Sequence, residues 1–319
     1  MTELGRCVFV CSKPLQFMMC TSIVREFGVR DAVIFIVTRN FSHVSTFVDF
    51  MTTPQMDSPF RSVDTRKTHA DIAREIAALE YDSLFIESDR VSDYHVYSPL
   101  KRELLAVFEE GAGTYVADYR DGMTGLRRLK WTVLALLTGC GLDFGGGRAT
   151  DRVFVQFPDL YASLRPRNAQ KAIGIPRVAV EMLRTRTQWA ALLKSGGLGG
   201  ASRMARAALV LGTWGGLPVA ARRAIATDVD GLYYKGHPND EVTVELDGAQ
   251  IITPRWVPGE VIVDWLVQRS DQVVVYHFGS SIEMNLWNTY PTVKFVDLGG
   301  PPEVALIRER LTDAARMAQ

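Results

Sequence analysis

Four short clusters carry residue types suited to moving a group off a phosphate. Lys235-Gly236-His237-Pro238 ends an apolar run that begins at Leu232. A lysine and a histidine two residues apart can both approach a phosphate, one supplying positive charge and the other a proton. Pro238 stiffens the following turn and helps fix the imidazole direction. An isolated His-Pro is more often a surface turn, so its weight comes from the rest of the chain. His277-Phe278-Gly279-Ser280-Ser281 follows a second apolar run, Val273–Tyr276, and opens a helical pattern from Ile282 to Trp287. Gly279 permits a tight turn, and two hydroxyls beside the first amides of a helix make an anion cradle. An ordinary serine N-cap explains one of those serines and leaves Gly279 and the other unexplained. Pro258-Gly259-Glu260 starts another helical pattern, where a first-turn glutamate is commonplace dipole stabilisation. Finally, Phe108-Glu109-Glu110-Gly111 leads towards Thr114-Tyr115-Val116-Ala117, read as a strand. Two adjacent carboxylates beside glycine can hold a general base. Taken alone, the pair reads more simply as solvated glutamates ending a helix.

Other patterns fall away. Asp228-Val229-Asp230 has the look of an acidic pair for a metal–nucleotide complex, but it stands just before a strand and reads as a turn. Gly139-Cys140-Gly141 and Gly145-Gly146-Gly147 lack the dinucleotide spacing and its strand-to-helix setting. Ser280 and Ser281 lack the flanking glycines of a nucleophile elbow. No phosphate loop of the Walker kind and no histidine–cysteine metal cluster is present, so no metal site is expected.

The elements that must position these clusters alternate. Cys7–Cys11, Ala32–Val37, Ser83–Ile86 and Val153–Gln156 read as strands, with helices from Ser12 to Phe27 and over 71–79. After 206 the alternation resumes: strands at Ala207–Leu211, Gly231–Lys235, Gln250–Thr253, Gln272–Tyr276 and Val293–Val296, with helices near 259–269, 281–287 and 302–316. Strand–helix alternation predicts parallel sheets covered by helices. Residues 166–205 are loosely patterned and basic, and Ser195-Gly-Gly-Leu-Gly-Gly200 is the most flexible-looking stretch. The expected organisation is α/β: a Rossmann-like unit over 1–165, a mobile connector over 166–205, and a nucleotide-binding Rossmann-like unit over 206–319. Two doubly wound lobes facing a cleft place ligands beyond their strand ends.

The bulk numbers exclude some partners. Of 319 residues, 47% are apolar and 23% charged, an ordinary globular composition. Thirty-six basic and 36 acidic side chains cancel, so no global field favours nucleic acid. Cys7, Cys11, Cys20 and Cys140 fit neither a disulfide framework nor a zinc pattern, which favours reduced thiols and a cytoplasmic setting. The first residues run directly into a strand without a leader pattern. The apolar run Trp131–Leu142 is too short to span a bilayer, which needs roughly 20 residues. With Arg127, Arg128 and Lys130 before it, 127–142 reads either as a core helix with a basic start or as a helix on a membrane surface. Short apolar runs are usually core, and that reading is preferred.

Taken together, the clusters resemble the bacterial sialyltransferases, especially the capsular α-2,8-polysialyltransferases and their lipooligosaccharide relatives. In that family an acidic pair with glycine, a His-Pro and a serine or threonine pair follow one another, as Glu109-Glu110-Gly111, His237-Pro238 and Ser280-Ser281 do here. Ser12-Lys13-Pro14-Leu15-Gln16 and Pro258-Gly259-Glu260 also look like its members, whereas Lys235-Gly236 departs from the commoner Lys-Pro. The resemblance implies a GT-B-like fold and an inverting, metal-independent transfer of sialic acid, or a related keto-sugar acid, from a CMP-activated donor to a glycan hydroxyl in bacterial surface-polysaccharide synthesis. It implies no cofactor beyond that co-substrate. Glu109 would be the base, with Glu110 the other candidate. His237 would bind and protonate the leaving phosphate, helped by Lys235, Ser280 and Ser281, with Pro238 and Gly279 shaping the donor site and Glu260 meeting the cytidine. Fold does not settle donor. A CMP-Kdo or nucleoside-diphosphate-sugar transferase, or a non-catalytic sugar-binding or scaffold protein, are the alternatives. The implied setting is cytoplasmic, at the inner face of the membrane if 127–142 touches it.

Overall fold

The computed structural model describes residues 4–39, 41, 43–115, 120, 123–198, 203–213, 216–226, 228–238, 246–300 and 302–317. The chain divides into two compact units, with the boundary between Val178 and Ala179.

The first unit alternates strand and helix: β1 (Arg6–Cys11), α1 (Pro14–Glu26), β2 (Asp31–Val37), α2 (Val44–Met51), β3 (Ser62–Arg66), α3 (His69–Ile76), β4 (Ser83–Ile86), α4 (Val91–Tyr97), β5 (Leu104–Phe108), α5 (Gly125–Thr138), β6 (Arg152–Val155), α6 (Pro158–Leu164) and β7 (Ala172–Gly174). α7 (Val178–Arg184) begins at the boundary. The sheet order is β3-β2-β1-β4-β5-β6-β7, with every pair parallel. Strand order reverses between β1 and β4, the hallmark of a doubly wound sheet. β1, β2 and β4 are nearly continuous apolar runs because both their faces are covered. Phe9 stacks on Phe85 at 4.5 Å, and Phe85 meets Phe154 edge-on at 5.0 Å. Each such buried side chain contributes about 1.5–3 kcal/mol by leaving water.

The second unit holds α8 (Arg186–Leu193), β8 (Met204–Leu211), α9 (Val219–Arg222), β9 (Gly231–Lys235), β10 (Gln250–Ile251), α10 (Gly259–Val267), β11 (Ser270–His277), α11 (Ile282–Asn285), β12 (Val293–Asp297) and α12 (Pro302–Met317). Its parallel sheet runs β10-β9-β8-β11-β12, reversing between β8 and β11. The expected α/β class with two doubly wound units is what the strand order shows.

Several boundaries differ from the sequence reading. Of the strand expected at Thr114–Ala117, Thr114 ends a 3₁₀ turn, Ala112–Thr114, while 116–119 lie outside the described residues. The strand is Leu104–Phe108, a five-residue apolar run whose period alone cannot separate strand from buried helix. β3 escaped notice because it is a half-buried edge strand with polar residues. Over the described residues 166–198, the chain is built of regular elements. It carries a 3₁₀ segment (Pro166–Lys171), strand β7 against β6, helices α7 and α8, and a turn through Leu198. Gly196 and Gly197 are held, their carbonyls accepting from Thr253 Oγ1 at 3.1 Å and Gln250 Nε2 at 2.9 Å. Gly199 and Gly200 fall outside the described residues. Asp228-Val229-Asp230, read as a turn, bends before β9, and Asp230 Oδ2 accepts from the amides of Ala205 and Arg206 at 2.6 and 2.9 Å.

Candidate functional site

A cavity of about 390 Å³ opens in the second unit at the carboxyl ends of β8, β9 and β11. The placement follows from topology: reversal of strand order between β8 and β11 leaves a crevice beyond the strand ends. β9 delivers Lys235, His237 and Pro238 to its wall, the first turn of α10 delivers Glu260, and the turn after β11 delivers Ser280 and Ser281. Gly279, at φ +67, makes the turn between β11 and the two serines, a left-handed conformation suited to glycine. Residues from three separate clusters of the sequence therefore share one cavity.

Electrostatics in this cavity are set by burial. Lys235 is 6% exposed, and its ammonium is pushed down to about 8 by loss of solvent, with the Glu260 charge pulling it back up. Its Nζ donates to the Gly236 carbonyl at 3.2 Å. Burial raises Glu260, opposed by a hydrogen bond from Asn285 Nδ2 to its Oε1 at 2.8 Å, by a backbone amide and by the Lys235 charge. A buried cation and a buried anion line the same wall, each sustaining the other's charge in a place that disfavours both. α10 is anchored from below. Arg186 Nε and Nη2 reach the two oxygens of Asp264 at 2.9 and 2.6 Å, and Tyr290 donates to Asp264 at 2.5 Å.

The serine cradle is built differently from expectation. The helix expected over 281–287 is a four-residue turn, Ile282–Asn285, too short to develop a dipole of consequence. Ser281 stands at its N-cap without a side-chain capping bond, while Ser280 Oγ accepts from the Ile282 amide at 3.3 Å. The hydroxyls, more than the helix, supply polarity here. Behind them His277 is fully buried, its Nε2 3.4 Å from Glu283, which Arg308 also holds at 2.6 Å.

Glu109 and Glu110 follow β5 directly, at a strand's carboxyl end and not at a helix end. Glu109 is 0% exposed. Its carboxylate accepts from Tyr115 Oη at 2.5 Å, the Gln156 amide at 2.8 Å and Gln156 Nε2 at 2.6 Å. Burial raises it to about 7, against those three donors, which favour the charged form. Glu110 keeps 13% of its side chain exposed and pairs with Arg90 Nη2 at 2.7 Å. The acidic pair thus divides into an enclosed member and an accessible one.

Sequence reasoning missed a second polar group in this unit, at the β1/β4 reversal. Ser12 Oγ donates to Glu87 Oε2 at 2.6 Å, and Ser12 N donates to Gln16 Oε1 at 3.0 Å. His69 Nε2 lies 3.7 Å from Glu87 Oε1, and its Nδ1 is 3.0 Å from Tyr97 Oη. Glu87, one residue beyond a read strand, was the available signal. In the second unit Gly212 and Thr213, past the end of β8, also line the cavity and were findable by the same rule. Asn285 had no sequence signal. Among the described residues, no group of three or more His, Cys, Asp and Glu could hold a metal ion.

No family model and no curated protein matches the chain. Among solved structures, it is similar to the wall teichoic acid polymerase TagF in its H548A form (9% identity, TM-score 0.49, 88% of this chain and 67% of that one). It is also similar to the ADP-heptose LPS heptosyltransferase II of E. coli (7% identity, TM-score 0.44, 98% and 100%). A glycosyl transferase family 9 protein of Veillonella parvula is a third (10% identity, TM-score 0.38, 86% and 76%).

Proposed function

We propose that the chain is an inverting, metal-independent glycosyltransferase that uses a CMP-activated sugar acid of the sialic acid kind and a glycan hydroxyl. The observation that carries this reading is the gathering of Lys235, His237, Glu260, Ser280 and Ser281 around one cavity at the switch point of the second sheet. A cation, an imidazole and two hydroxyls suit a phosphate that gains negative charge as it leaves, and a buried carboxylate suits the donor groups of a base.

In the proposed reaction the acceptor oxygen forms a bond to the anomeric carbon while the bond from that carbon to the CMP phosphate oxygen breaks. The acceptor proton passes to a carboxylate of the Glu109–Glu110 pair. Glu110 is the member with exposed surface, and Glu109 braces the strand end on which it stands. Developing charge on CMP is met by Lys235, Ser280 and Ser281, with His237 donating a proton or hydrogen bond. Stabilising charge where it appears is the largest contribution open to such a site. Glu260, whose charged form Asn285 and Lys235 favour against burial, would accept from the cytosine amino group.

Calorimetric titration with CMP, UDP and ADP tests the reading. CMP binding with weaker UDP and ADP binding is expected. Preference for a diphosphate would turn the donor to a nucleoside-diphosphate sugar. No binding of any nucleotide, by folded protein, would leave a sugar-binding or scaffold role.

A further inference from the structure

Helix α5 does not behave as the core helix that its apolar sequence suggested. Leu126, Leu129, Val133, Leu136 and Leu137 are all exposed, Leu126 at 84% and Leu137 at 78%. Their spacing of three and four residues puts them on one stripe along a helix about 21 Å long. The opposite face is the one that packs, through Ala135 with Trp131, Leu134 and Thr138 partly covered. Arg127 and Lys130, both exposed, extend from the first turns. Among the described residues no helix is long and apolar enough to cross a membrane.

At the carboxyl end of the same helix lies a second cavity, of about 410 Å³, that the proposed transfer does not use. Leu136 forms part of its wall, so it adjoins the apolar stripe. Arg120, Arg148, Arg165 and Arg167 line it, with Asp143 as the acidic lining residue. Asp143 is engaged by Asn168 Nδ2 at 3.4 Å.

The pocket is held in shape. Arg120 Nη1 donates to Thr132 Oγ1 on α5 at 3.0 Å. Gly139 ends α5 at φ +72, and its carbonyl accepts from the Arg148 amide at 2.7 Å. The glycine loop at 145–147 wraps the buried Asp89, whose oxygens accept from the amides of Gly145 and Gly147 at 3.2 and 2.7 Å. A Cβ on Gly147 would lie 2.9 Å from that carboxylate. Gly139 and Gly146 line the pocket, and the Asp89 bonds of Gly145 and Gly147 hold the loop that carries Gly146.

We propose that α5 lies on an anionic bilayer with its leucine stripe in the acyl boundary, and that the four-arginine pocket takes the phosphate of a lipid headgroup. An exposed apolar stripe alone would suit several partners. The charge at its end decides between them: arginines match phosphate, and an apolar face with adjoining phosphate is the chemistry of a phospholipid surface. This assignment is independent of the nucleotide reading.

The test is co-sedimentation of the full chain with vesicles of phosphatidylcholine alone or of equimolar phosphatidylcholine and phosphatidylglycerol. Binding to the anionic vesicles only is expected, weakening as salt rises. Leu136→Asp/Leu137→Asp should reduce it to background, and Arg148→Glu/Arg167→Glu should lower it by about tenfold or more. All four positions are exposed, and unchanged melting and far-ultraviolet circular dichroism would confirm folded variants. Free glycerol phosphate should not release bound protein, because it lacks the acyl anchor. Equal binding to both vesicles, or binding indifferent to the leucine pair, would overturn the proposal. So would a concentration-dependent dimer that the leucine variants abolish, because the stripe would then be covered by a second copy.

Discussion

Asn285 donates through Nδ2 to Oε1 of Glu260 at 2.8 Å, joining the turn after β11 to the first turn of α10 at the wall of the second unit's cavity. Glu260 is 6% exposed and burial raises it, so this bond is one of the interactions that keep it charged. Removing the donor leaves the carboxylate closer to its neutral form. A neutral carboxyl is a poorer acceptor for an amino group. Asn285→Leu should therefore weaken CMP binding by roughly fivefold, the worth of about 1 kcal/mol of hydrogen bonding. Unchanged calorimetric affinity would remove Glu260 from the nucleotide site.

Lys235 makes a test of function against stability. Its folded value, about 8, lies below its ordinary 10.5. Between those values the unfolded chain binds a proton that the folded chain does not, so this group's contribution to stability rises as pH rises through that window. Below it, the folded protein carries a buried charge at a cost. Lys235→Met should accordingly melt no lower than the wild type at pH 7 while losing CMP affinity. In the wild type, affinity should fall as pH is raised past about 8. A variant that melts lower and binds CMP normally would make Lys235 a structural residue.

His237→Ala should weaken CMP binding and turnover together, since His237 lines the cavity and the proposed reaction brings the leaving phosphate to it. Glu110→Gln should spare CMP binding and slow turnover by ~10²–10⁴-fold, the usual cost of a missing general base. Full turnover in Glu110→Gln together with collapse in Glu109→Gln would move the base to the enclosed member. If neither change slows a folded enzyme, the pair has no part in the chemistry.

Glu109 has its own pH signature. Its folded value, about 7, lies above its ordinary 4.5. A group raised in this way contributes stability that is fully present below the ordinary value and is lost as pH climbs through about 7. Denaturation of wild type against Glu109→Gln should therefore show the difference between them moving in the variant's favour from pH 5 to pH 8, on the order of 3 kcal/mol at most. A difference flat with pH would mean that the three donors around Glu109 keep it ionised throughout.

Turnover should persist in excess EDTA, because the proposed charge on the leaving phosphate is met by Lys235, His237 and the two serines. Loss on chelation with rescue by manganese would overturn the metal-independent mechanism.

The sequence by itself determined a good deal about this chain. Apolar runs such as Cys7–Val10 and Val273–Tyr276 need cover on both faces, and their alternation with helices dictates parallel α/β units. His237 and Ser280 were legible as candidates for a local reason: each closely follows a strand, and strand ends are where such sheets present ligand groups; both line the cavity of the second unit. The sheet order then decided what no spacing could. Reversal between β8 and β11 put the turns after 235 and 277 and the start of α10 around a common cavity. Burial separated Glu109 from Glu110, neighbours that are equivalent as sequence, because Gln156, just past β6, reaches one and solvent reaches the other. Connection strength also escaped composition: residues 166–198 look loose, yet they pair with β6 and contribute α8, whose Arg186 anchors α10 through Asp264. The same holds for α5, an apolar run that reads as core and lies exposed. Apolar periodicity reports that a helix has a face to cover, and only the packing of its neighbours tells whether the fold covers it.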